Sequence, residues 1–438
     1  MSPPSMIAVQ GSKADPIWLI CQVFHPDTQS TSQLLSEAFH VLADRGQAFI
    51  VISGYPGVPA APDTPSMENW NGIEIRRGGL RNQLKRSLLR RALSYAGYSW
   101  FVCWQLILAK RGRRVLAVTN PPYHPALVAF VCRWKRHSLT LLLQDIYPEG
   151  LVAVGRMKRA GLVARSWHGA NRVAFGSARE IWVLGRDMAT LVRLDYGVPA
   201  ERIQVVPHWS LVEADHLRPA EDTRLFRTLQ LEGKFVVQYS GNMGLWHDLD
   251  TIVLAAAALQ DNREIHFLLI GAGIKRAAAE KRSAELGLRN LTWLPYQQRD
   301  DLSDTLACCH VALISQLSGL EGVAVPCKLY GILSAGRAVV AQVPAGSEVG
   351  MVVREEACGV VVPPGDVSGL VAAILELAAK PEDAERMGRQ AFQAYRTKYT
   401  LSRAVETFED HFSRWSVPRS PRVESMGVQG RVKNSRPS

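Results

Sequence analysis

Glycine, one carboxylate and one lysine are concentrated in two segments that each follow an apolar, strand-like run. The first segment is 239–244 (YSGNMG), and the second is 319–336 (GLEGVAVPCKLYGILSAG). Glycine allows a backbone to turn sharply or to lie close against a ligand. Both segments continue into helix-like patterns, so we expect free N–H groups at two helix starts to converge on one anionic group.

Within the second segment, Glu321 and Lys328 flank a turn that Pro326 marks. A carboxylate accepts hydrogen bonds from sugar hydroxyls, and an ammonium group neutralises phosphate. A nucleotide-sugar site needs both groups, which makes these two residues the first candidates for chemistry.

The elements that must position these groups alternate between strand and helix. Residues 17–24 form an apolar run, and residues 31–45 have helical spacing and end at Gly46. Further strands are predicted at 48–53, 115–119, 139–143 and 180–184. This alternation predicts a parallel sheet covered on both faces. Ligands bind at the carboxyl ends of such strands, so three loops should face one crevice: 25–30, 120–124 and 144–150.

A second alternating series begins at Phe235. Its predicted strands are 235–239, 266–270, 311–314 and 338–342, and helices follow at 367–377 and 403–415. The sequence therefore predicts an α/β fold of two Rossmann-like parallel-sheet domains that face each other across a cleft. The predicted segments are a polar N-terminal segment (1–16), a first domain (17–197), a hinge (198–208), a second domain (209–400), a terminal helix (401–415) and a disordered basic tail (416–438).

The bulk composition of the 438-residue chain is that of a globular protein, with 47% hydrophobic and 21% charged residues. Its seven cysteines are scattered without a CxxC pair, which predicts free thiols in a reducing compartment and no structural zinc. The N-terminal segment lacks an apolar core of signal-peptide length, so secretion is not indicated.

The net charge of +11 is concentrated in segment 76–114 and its surroundings. Residues 75–144 contain fourteen Lys or Arg and no Asp or Glu, and an uncharged stretch of eighteen residues, 92–109, separates two basic clusters. This pattern predicts a basic, aromatic-rich amphipathic hairpin in the interface of an anionic membrane leaflet. A buried helix with a solvated basic flank and a membrane span are the alternatives. Nucleic-acid binding is disfavoured, because the charge is interleaved with apolar residues.

The two glycine segments together resemble the C-terminal half of retaining GT-B glycosyltransferases of family 4 (group 1). The phrase PCKLYGILSAGR resembles a branch with Pro-Ser-Lys-Leu-Tyr, found among enzymes of bacterial exopolysaccharide, O-antigen and colanic-acid synthesis. The resemblance implies transfer of a sugar from a nucleotide-diphosphate donor to a lipid-linked, polyprenyl-diphosphate acceptor. It also implies retention of configuration, no metal or other cofactor, a terminal helix that crosses back to the first domain, and a peripheral location on the inner face of the cytoplasmic membrane.

On the donor side, the family places an arginine and a lysine after the first glycine turn to neutralise the diphosphate. Asn242 and His247 occupy those positions here, so Lys328 is the expected substitute. The backbone around Leu294 and Tyr296 falls where relatives hold the nucleobase. The full set implied for the donor is Gly241, Asn242, Met243, Gly244, His247, Gly271, Gly273, Leu294, Tyr296, Lys328 and Tyr330.

The resemblance assigns Glu321 to the hydroxyls of the donor sugar. The family's second glutamate is missing, because Leu329 stands at its position, or Gly331 if the helix is aligned from Gly336. Tyr330 or the backbone is then expected to contact the ribose.

On the acceptor side, Gln144-Asp145 stands where many relatives have His-Asp, and Asp145 is the candidate to orient or deprotonate an acceptor hydroxyl. Asp27 and Thr31 belong to the acceptor-facing first loop, and Glu149 is a weaker candidate. A sugar-nucleotide 2-epimerase and a non-catalytic scaffold remain open as alternatives. Asp248 and Asp250 form an Asp-x-Asp pair that could hold a metal, although capping of a helix is favoured.

Overall fold

The computed structural model describes residues 15–57, 64–81 and 88–415, with the side chains of 88–91 excepted. The predicted tail and most of the predicted N-terminal segment lie outside these residues. Two parallel sheets, each flanked by helices, confirm the predicted fold class.

The first sheet is built from eight strands in the described part of the chain. They are β1 (Ile17–Ile20), β2 (Phe49–Gly54), β3 (Met67–Trp70), β4 (Ile73–Gly78), β5 (Arg114–Val118), β6 (Ser138–Leu142), β7 (Glu180–Val183) and β8 (Ile203–Val205). Their order is β3-β4-β2-β1-β5-β6-β7-β8, and only β3 runs antiparallel to its neighbour. The accompanying helices are α1 (Ser30–Asp44), α2 (Leu88–Leu108), α3 (His124–Lys135), α4 (Glu149–Ala153), α5 (Leu162–Ser177) and α6 (Arg186–Tyr196).

The second sheet has six parallel strands. They are β9 (Phe235–Ser240), β10 (Ile265–Ile270), β11 (Leu291–Leu294), β12 (Val311–Ser315), β13 (Ala338–Gln342) and β14 (Gly359–Val362). Their order in the sheet is β11-β10-β9-β12-β13-β14. Its helices are α7 (Arg224–Thr228), α8 (Leu249–Ala258), α9 (Arg276–Glu285), α10 (Leu302–Ala307), α11 (Lys328–Ser334), α12 (Glu348–Glu355), α13 (Val367–Ala379) and α14 (Pro381–Lys398). The last helix, α15 (Leu401–Arg414), follows α14.

The predicted strands are present, because each is a short apolar run buried between helices. Their bounds agree within two residues except in the first run, 17–24, where β1 ends at Ile20. The hairpin of β3 and β4 was not predicted, since β3 is an edge strand of alternating exposure and carries no apolar run. Strand β8 lies inside the predicted hinge 198–208 and pairs in parallel with β7, so this part of the hinge belongs to the first sheet.

Helix α15 crosses back onto the first domain, as the resemblance implies. The ring of Phe408 lies 5.7 Å from that of Phe39 in α1 and 5.7 Å from that of Trp182 in β7. Phe412 also contacts Phe39, at 6.3 Å between ring centres. Since these rings are buried, this contact fixes the C-terminal end of the second domain against the first sheet.

The described residues of the basic segment 76–114 do not form a hairpin: they contain the end of β4, helix α2 and the first residue of β5, and residues 82–87 lie outside the described part. Arg77 is buried and donates to the carbonyl of His25 and to Glu68, while Arg76 donates to Glu74 and Gln105. These two arginines therefore serve the fold, contrary to the prediction that the whole cluster faces a membrane. Within the described residues, no helix combines the length and apolar character that a bilayer span requires.

Candidate functional site

The glycine turn that begins at Gly241 and the turn of Gly271 and Gly273, which the resemblance assigns to the donor site, lie side by side at the carboxyl ends of β9 and β10. The N–H of Gly241 donates to Ile270 O (2.9 Å), and the N–H of Met243 donates to Ala272 O (2.8 Å). Gly241, Gly271 and Gly273 all have positive φ (129°, 139° and 155°). A Cβ on Gly271 would overlap the carbonyl oxygen of Gly241, and one on Gly273 would overlap that of Met243. The glycines are therefore what allows the two turns to touch.

We expect Gly271→Ala to destabilise the second domain by about 1–3 kcal/mol, because a methyl group forces the two turns apart in a backbone region that alanine disfavours. The melting temperature and the binding of any nucleotide should both fall. Gly169→Ala is the matched control, since Gly169 lies within α5 with open space around its Cβ position. An unchanged melting temperature in Gly271→Ala would contradict the close contact of the turns.

One expected source of N–H groups is not free. Helix α8 begins at Leu249, five residues beyond the first glycine segment, and Asp248 caps it by accepting from the N–H of Thr251 (3.2 Å). Asp248 also accepts from Thr251 Oγ1 and Gln342 Nε2. The Asp248–Asp250 pair thus opens a helix, as favoured, and its cap engages the N–H of Thr251 at the start of α8.

Lys328, the first residue of α11, points at the first glycine turn. Its Nζ donates to Tyr239 Oη (2.6 Å) and lies 3.8 Å from the centre of the Tyr239 ring. It also lies 3.7 Å from the place a Cβ on Gly241 would occupy. Burial lowers the pKa of Lys328 to about 7. A bound anion would hold this ammonium group in its charged form.

His247 does not supply the missing charge. Its Nδ1 lies 2.8 Å from Ser315 O, so the Nδ1 carries a hydrogen and Nε2 is left as an acceptor. Burial lowers the pKa of His247 to about 3, and the nearby charges of Lys328 and Lys275 contribute. A neutral acceptor cannot bind a diphosphate as a cation does. This corrects the role predicted for His247.

Lys275, two residues after Gly273, brings a second cation to this place. The Nζ of Lys275 donates to the carbonyl of His247 (2.6 Å), and its backbone N–H donates to Met243 O (3.1 Å). The ammonium group therefore lies next to the position where the family carries its lysine, although it comes from the start of α9. Asn242 remains uncharged, and its carbonyl accepts from Tyr239 Oη (2.8 Å).

Tyr330 does not face the site. It is completely buried, and its ring packs 5.0 Å from that of Tyr399. On a helix, residues two apart point in different directions, so Lys328 at the cleft turns Tyr330 into the core. The predicted contact of Tyr330 with a ribose is wrong for this reason.

The loop after β11 borders the second glycine turn. Leu294 O accepts from the N–H of Gly271 (3.0 Å) and from Arg276 Nη1 (2.8 Å). The side chain of Tyr296 is 55% exposed and interacts with the backbone of Ala272. An exposed ring beside the turns is suited to contact a nucleobase.

Asp145 follows β6 at the edge of the cleft. Burial raises the pKa of its carboxyl to about 6, which is a suitable value for a group that takes or gives a proton near neutrality. Residues 145–146 meet the second domain, since Asp145 forms an antiparallel bridge with Ala324 and the N–H of Ile146 donates to Val323 O (2.9 Å). Asp145 also lies close enough to Cys327 to raise the pKa of that thiol, in addition to the larger effect of burial. The structure therefore brings Asp145 near Cys327, the residue that precedes Lys328.

Asp27 braces the first loop. It is 5% exposed, and its two carboxylate oxygens accept from the N–H groups of Gln29 and Gly57, both at 3.0 Å. Both oxygens already accept a backbone N–H, so Asp27 has a structural role besides the acceptor contact predicted for it. Thr31 lies half-buried in the first turn of α1.

Glu321 lies apart from the lysine cluster. It is exposed and lines a cavity of about 570 Å³ between helices α4–α6 of the first domain and residues 319–323. The next residue, Gly322, donates its N–H to Asp187 Oδ2 at the start of α6 (2.9 Å). The structure thus places Glu321 in the middle of the β12–α11 loop and Lys328 at the end of that loop, as the first residue of α11.

Comparisons with known proteins identify relatives of this chain in sequence and in fold. Residues 221–394, from the start of the second domain into α14, match the family model of glycosyl transferases group 1. The chain is 29% identical to the probable glycosyltransferase WbjE of Pseudomonas aeruginosa over 67% of this chain and 73% of the relative. It is 24% identical to the putative colanic acid biosynthesis glycosyl transferase WcaI of Escherichia coli K12, over 82% and 91%. In fold it is similar to sucrose-phosphate synthase from Thermosynechococcus elongatus, with a TM-score of 0.72 at 15% identity over 92% and 99% of the two chains.

Proposed function

We propose that this chain, a group 1 glycosyltransferase of the GT-B fold, glycosylates a lipid-linked saccharide. Its homologues belong to bacterial polysaccharide biosynthesis. The donor would be a nucleotide-diphosphate sugar, and the sugar would be transferred with retention of its anomeric configuration. The observation that carries this proposal is Lys328 beside the paired glycine turns.

The donor diphosphate is proposed to lie against the turns of Gly241 and Gly273, between Lys328 and Lys275. Departure of a nucleoside diphosphate builds negative charge on the phosphates, and prepositioned cations stabilise it in the transition state. Two ammonium groups supply this charge without a metal ion, so we further propose that transfer is metal-independent. Tyr296 and the backbone near Leu294 would contact the nucleobase.

The acceptor is proposed to approach from the first domain, where Asp145 would orient or deprotonate its hydroxyl. A desolvated carboxylate with a pKa near 6 accepts a proton readily at neutral pH. Glu321 would hold hydroxyls of the donor sugar from the β12–α11 loop. Closure of the two domains would then exclude water and align the acceptor with the anomeric carbon.

A thermal-shift screen of the purified protein against nucleotide sugars and free nucleoside diphosphates tests the donor site. One base should raise the melting temperature, because a ligand at 100 times its Kd stabilises the native state by about 2.7 kcal/mol. The sugar nucleotide with that base should raise the melting temperature in the presence of EDTA as much as in the presence of Mg²⁺. If no nucleotide shifts the folded protein, the scaffold alternative gains and the catalytic proposal is lost.

The outer face of the first domain supports a peripheral position on an anionic membrane, for which we propose the inner face of the cytoplasmic membrane. Trp100 and Trp104 form a stripe on α2, and Phe130 and Trp134 form one on the adjacent helix α3. Their side chains are 73%, 49%, 73% and 60% exposed. Aromatic rings surrounded by lysine and arginine are suited to the headgroup region of such a bilayer. The nearby cations are Lys110, Arg111, Arg133, Lys135 and Arg136.

Replacing Trp100, Trp104, Phe130 and Trp134 with serine should release the protein from vesicles that contain phosphatidylglycerol. The bound fraction should fall at least about tenfold, since each ring loses apolar burial of the order of 1 kcal/mol or more. Sedimentation with the vesicles measures the effect. The control is Ile274→Ser with Leu375→Ser, two exposed apolar residues of the second domain. Equal sedimentation of both variants would refute the membrane face.

A further inference from the structure

We propose that the cavity beside Glu321 binds the head of the acceptor lipid, a prenyl-diphosphate saccharide, with Arg159 and Arg165 holding the diphosphate. This inference rests on the proposed function, which supplies a lipid-linked acceptor. It adds a second anion site in the first domain, separate from the two lysines of the donor site.

The cavity has the size of a small-molecule site. Its volume of about 570 Å³ falls within the range of about 300–1,000 Å³ that ligand pockets occupy. The wall is mostly apolar, with Pro148, Val152, Leu191 and Val323 among its residues. Its polar and charged side chains are Glu149, Arg159, Arg165, His168, Asp195 and Glu321.

The positive charge of the wall comes from one stretch of chain. Arg159 precedes α5, and Arg165 lies in the first turn of that helix. Both are exposed, and neither forms an ion pair with a residue that the structure describes. Arginine binds phosphate oxygens through a planar fork of donors, which makes an unpaired pair of guanidinium groups a good match for a diphosphate.

The carboxylates of the wall come from other elements: Glu149 from α4, Asp195 from α6 and Glu321 from the second domain. Glu149 is held in place by His168, whose Nδ1 lies 2.7 Å from its Oε1. Carboxylates repel a diphosphate but accept hydrogen bonds from sugar hydroxyls. The saccharide is therefore expected on the side of the cavity that carries these carboxylates. Glu321, the residue proposed to hold the donor sugar, lies on that side.

The lipid chain has an exit beside the arginines. Leu162 and Val163 lie between Arg159 and Arg165 in sequence, and they are 80% and 66% exposed. Exposed apolar residues next to cations fit a ligand that changes from charged to apolar at the diphosphate. Helix α5 packs against α3, whose outer face carries Phe130 and Trp134. The prenyl chain would therefore leave the cavity toward the proposed membrane face.

The test measures binding of farnesyl diphosphate to the full-length protein by titration calorimetry without membranes. Arg159→Gln with Arg165→Gln should weaken binding at least about tenfold, because charge-assisted hydrogen bonds are lost. The matched control is Arg156→Gln with Lys158→Gln, which removes two exposed cations of the same loop that do not line the cavity. The control should keep the wild-type Kd within about twofold. Leu162→Gln with Val163→Gln should weaken farnesyl diphosphate but not inorganic pyrophosphate.

A second comparison separates this site from the donor site. Lys275→Met with Lys328→Met should retain farnesyl diphosphate binding, and loss of binding there would place the diphosphate in the donor site and overturn the inference. The inference would also be overturned if Arg156→Gln with Lys158→Gln weakened farnesyl diphosphate binding as much as Arg159→Gln with Arg165→Gln. Equal effects would indicate non-specific attraction between the diphosphate and the basic segment. The nucleotide thermal-shift screen on the same preparations is an independent test. If no nucleotide raises the melting temperature, the proposed donor is rejected. If Arg159→Gln with Arg165→Gln does not weaken farnesyl diphosphate binding, this pocket is rejected.

Discussion

Replacing Lys328 with methionine should lower kcat/KM for sugar transfer by about 10²- to 10³-fold. The Nζ of Lys328 is fixed by Tyr239 Oη and directed at the turn of Gly241, where the donor diphosphate is proposed to lie. Methionine keeps much of the side-chain volume but cannot neutralise the departing phosphate. Initial rates with the donor found in the nucleotide screen measure the loss.

Two control variants define what the Lys328 result means. Lys328→Arg keeps the charge and should retain more activity than the methionine variant. Lys234→Met removes a half-buried lysine of the same domain whose Nζ donates to the carbonyl of Arg263, and it should leave kcat/KM unchanged. Near-wild-type turnover by Lys328→Met would reject the role of this lysine.

Lys328→Met should also raise the melting temperature by a few degrees. Burial lowers the pKa of Lys328 from 10.5 to about 7, so the unfolded chain holds the proton more tightly than the folded one. The cost to folding grows as the pH falls from 10.5 to about 7 and is constant below that. The gain from methionine should therefore be larger at pH 6 than at pH 10. A stability loss at pH 6 would indicate that the lysine serves the fold instead.

Replacing Asp145 with asparagine should lower kcat by about 10²- to 10⁴-fold. The melting temperature at neutral pH should not fall, because burial disfavours the charged carboxylate that is removed. Asparagine has the same shape but cannot accept a proton from the acceptor hydroxyl. The matched control is Asp250→Asn in the first turn of α8, which should have wild-type activity.

The pH profile distinguishes proton transfer from positioning by Asp145. Burial raises the pKa of this carboxyl to about 6, so kcat/KM of the wild type should fall as the pH drops below 6 and the carboxylate is protonated. The acid limb should disappear in Asp145→Asn. An acid limb that persists in this variant would assign the proton to another group.

The sequence predicted the two sheets because each strand is a short apolar run between helices, and this pattern depends on local burial alone. It also identified Gly241, Gly271 and Gly273, since a backbone with positive φ selects glycine wherever it occurs. Lys328 was found as the lone base of its segment. Each of these features is set by residues that are close together in the chain.

Other outcomes depended on how distant parts of the chain pack. Lys275 reaches the carbonyl of His247 from another helix, and no spacing rule connects two residues so far apart. Burial and the bond to Ser315 keep His247 neutral, which spacing alone does not show. Asp27 was engaged by the N–H of Gly57 from a different loop.

By itself, then, the sequence determined the two-domain fold, the glycines of the donor-side turns and the basic, aromatic character of the first domain, whereas the pairing of the two turns came from the structure. Only the tertiary structure decided that Tyr330 turns into the core, that the aromatic face extends from α2 onto α3, and that Glu321 opens on a cavity with Arg159 and Arg165. The reason is physical: backbone conformation and burial periodicity are local, whereas the direction and the partners of a side chain follow from contacts between elements far apart in the chain.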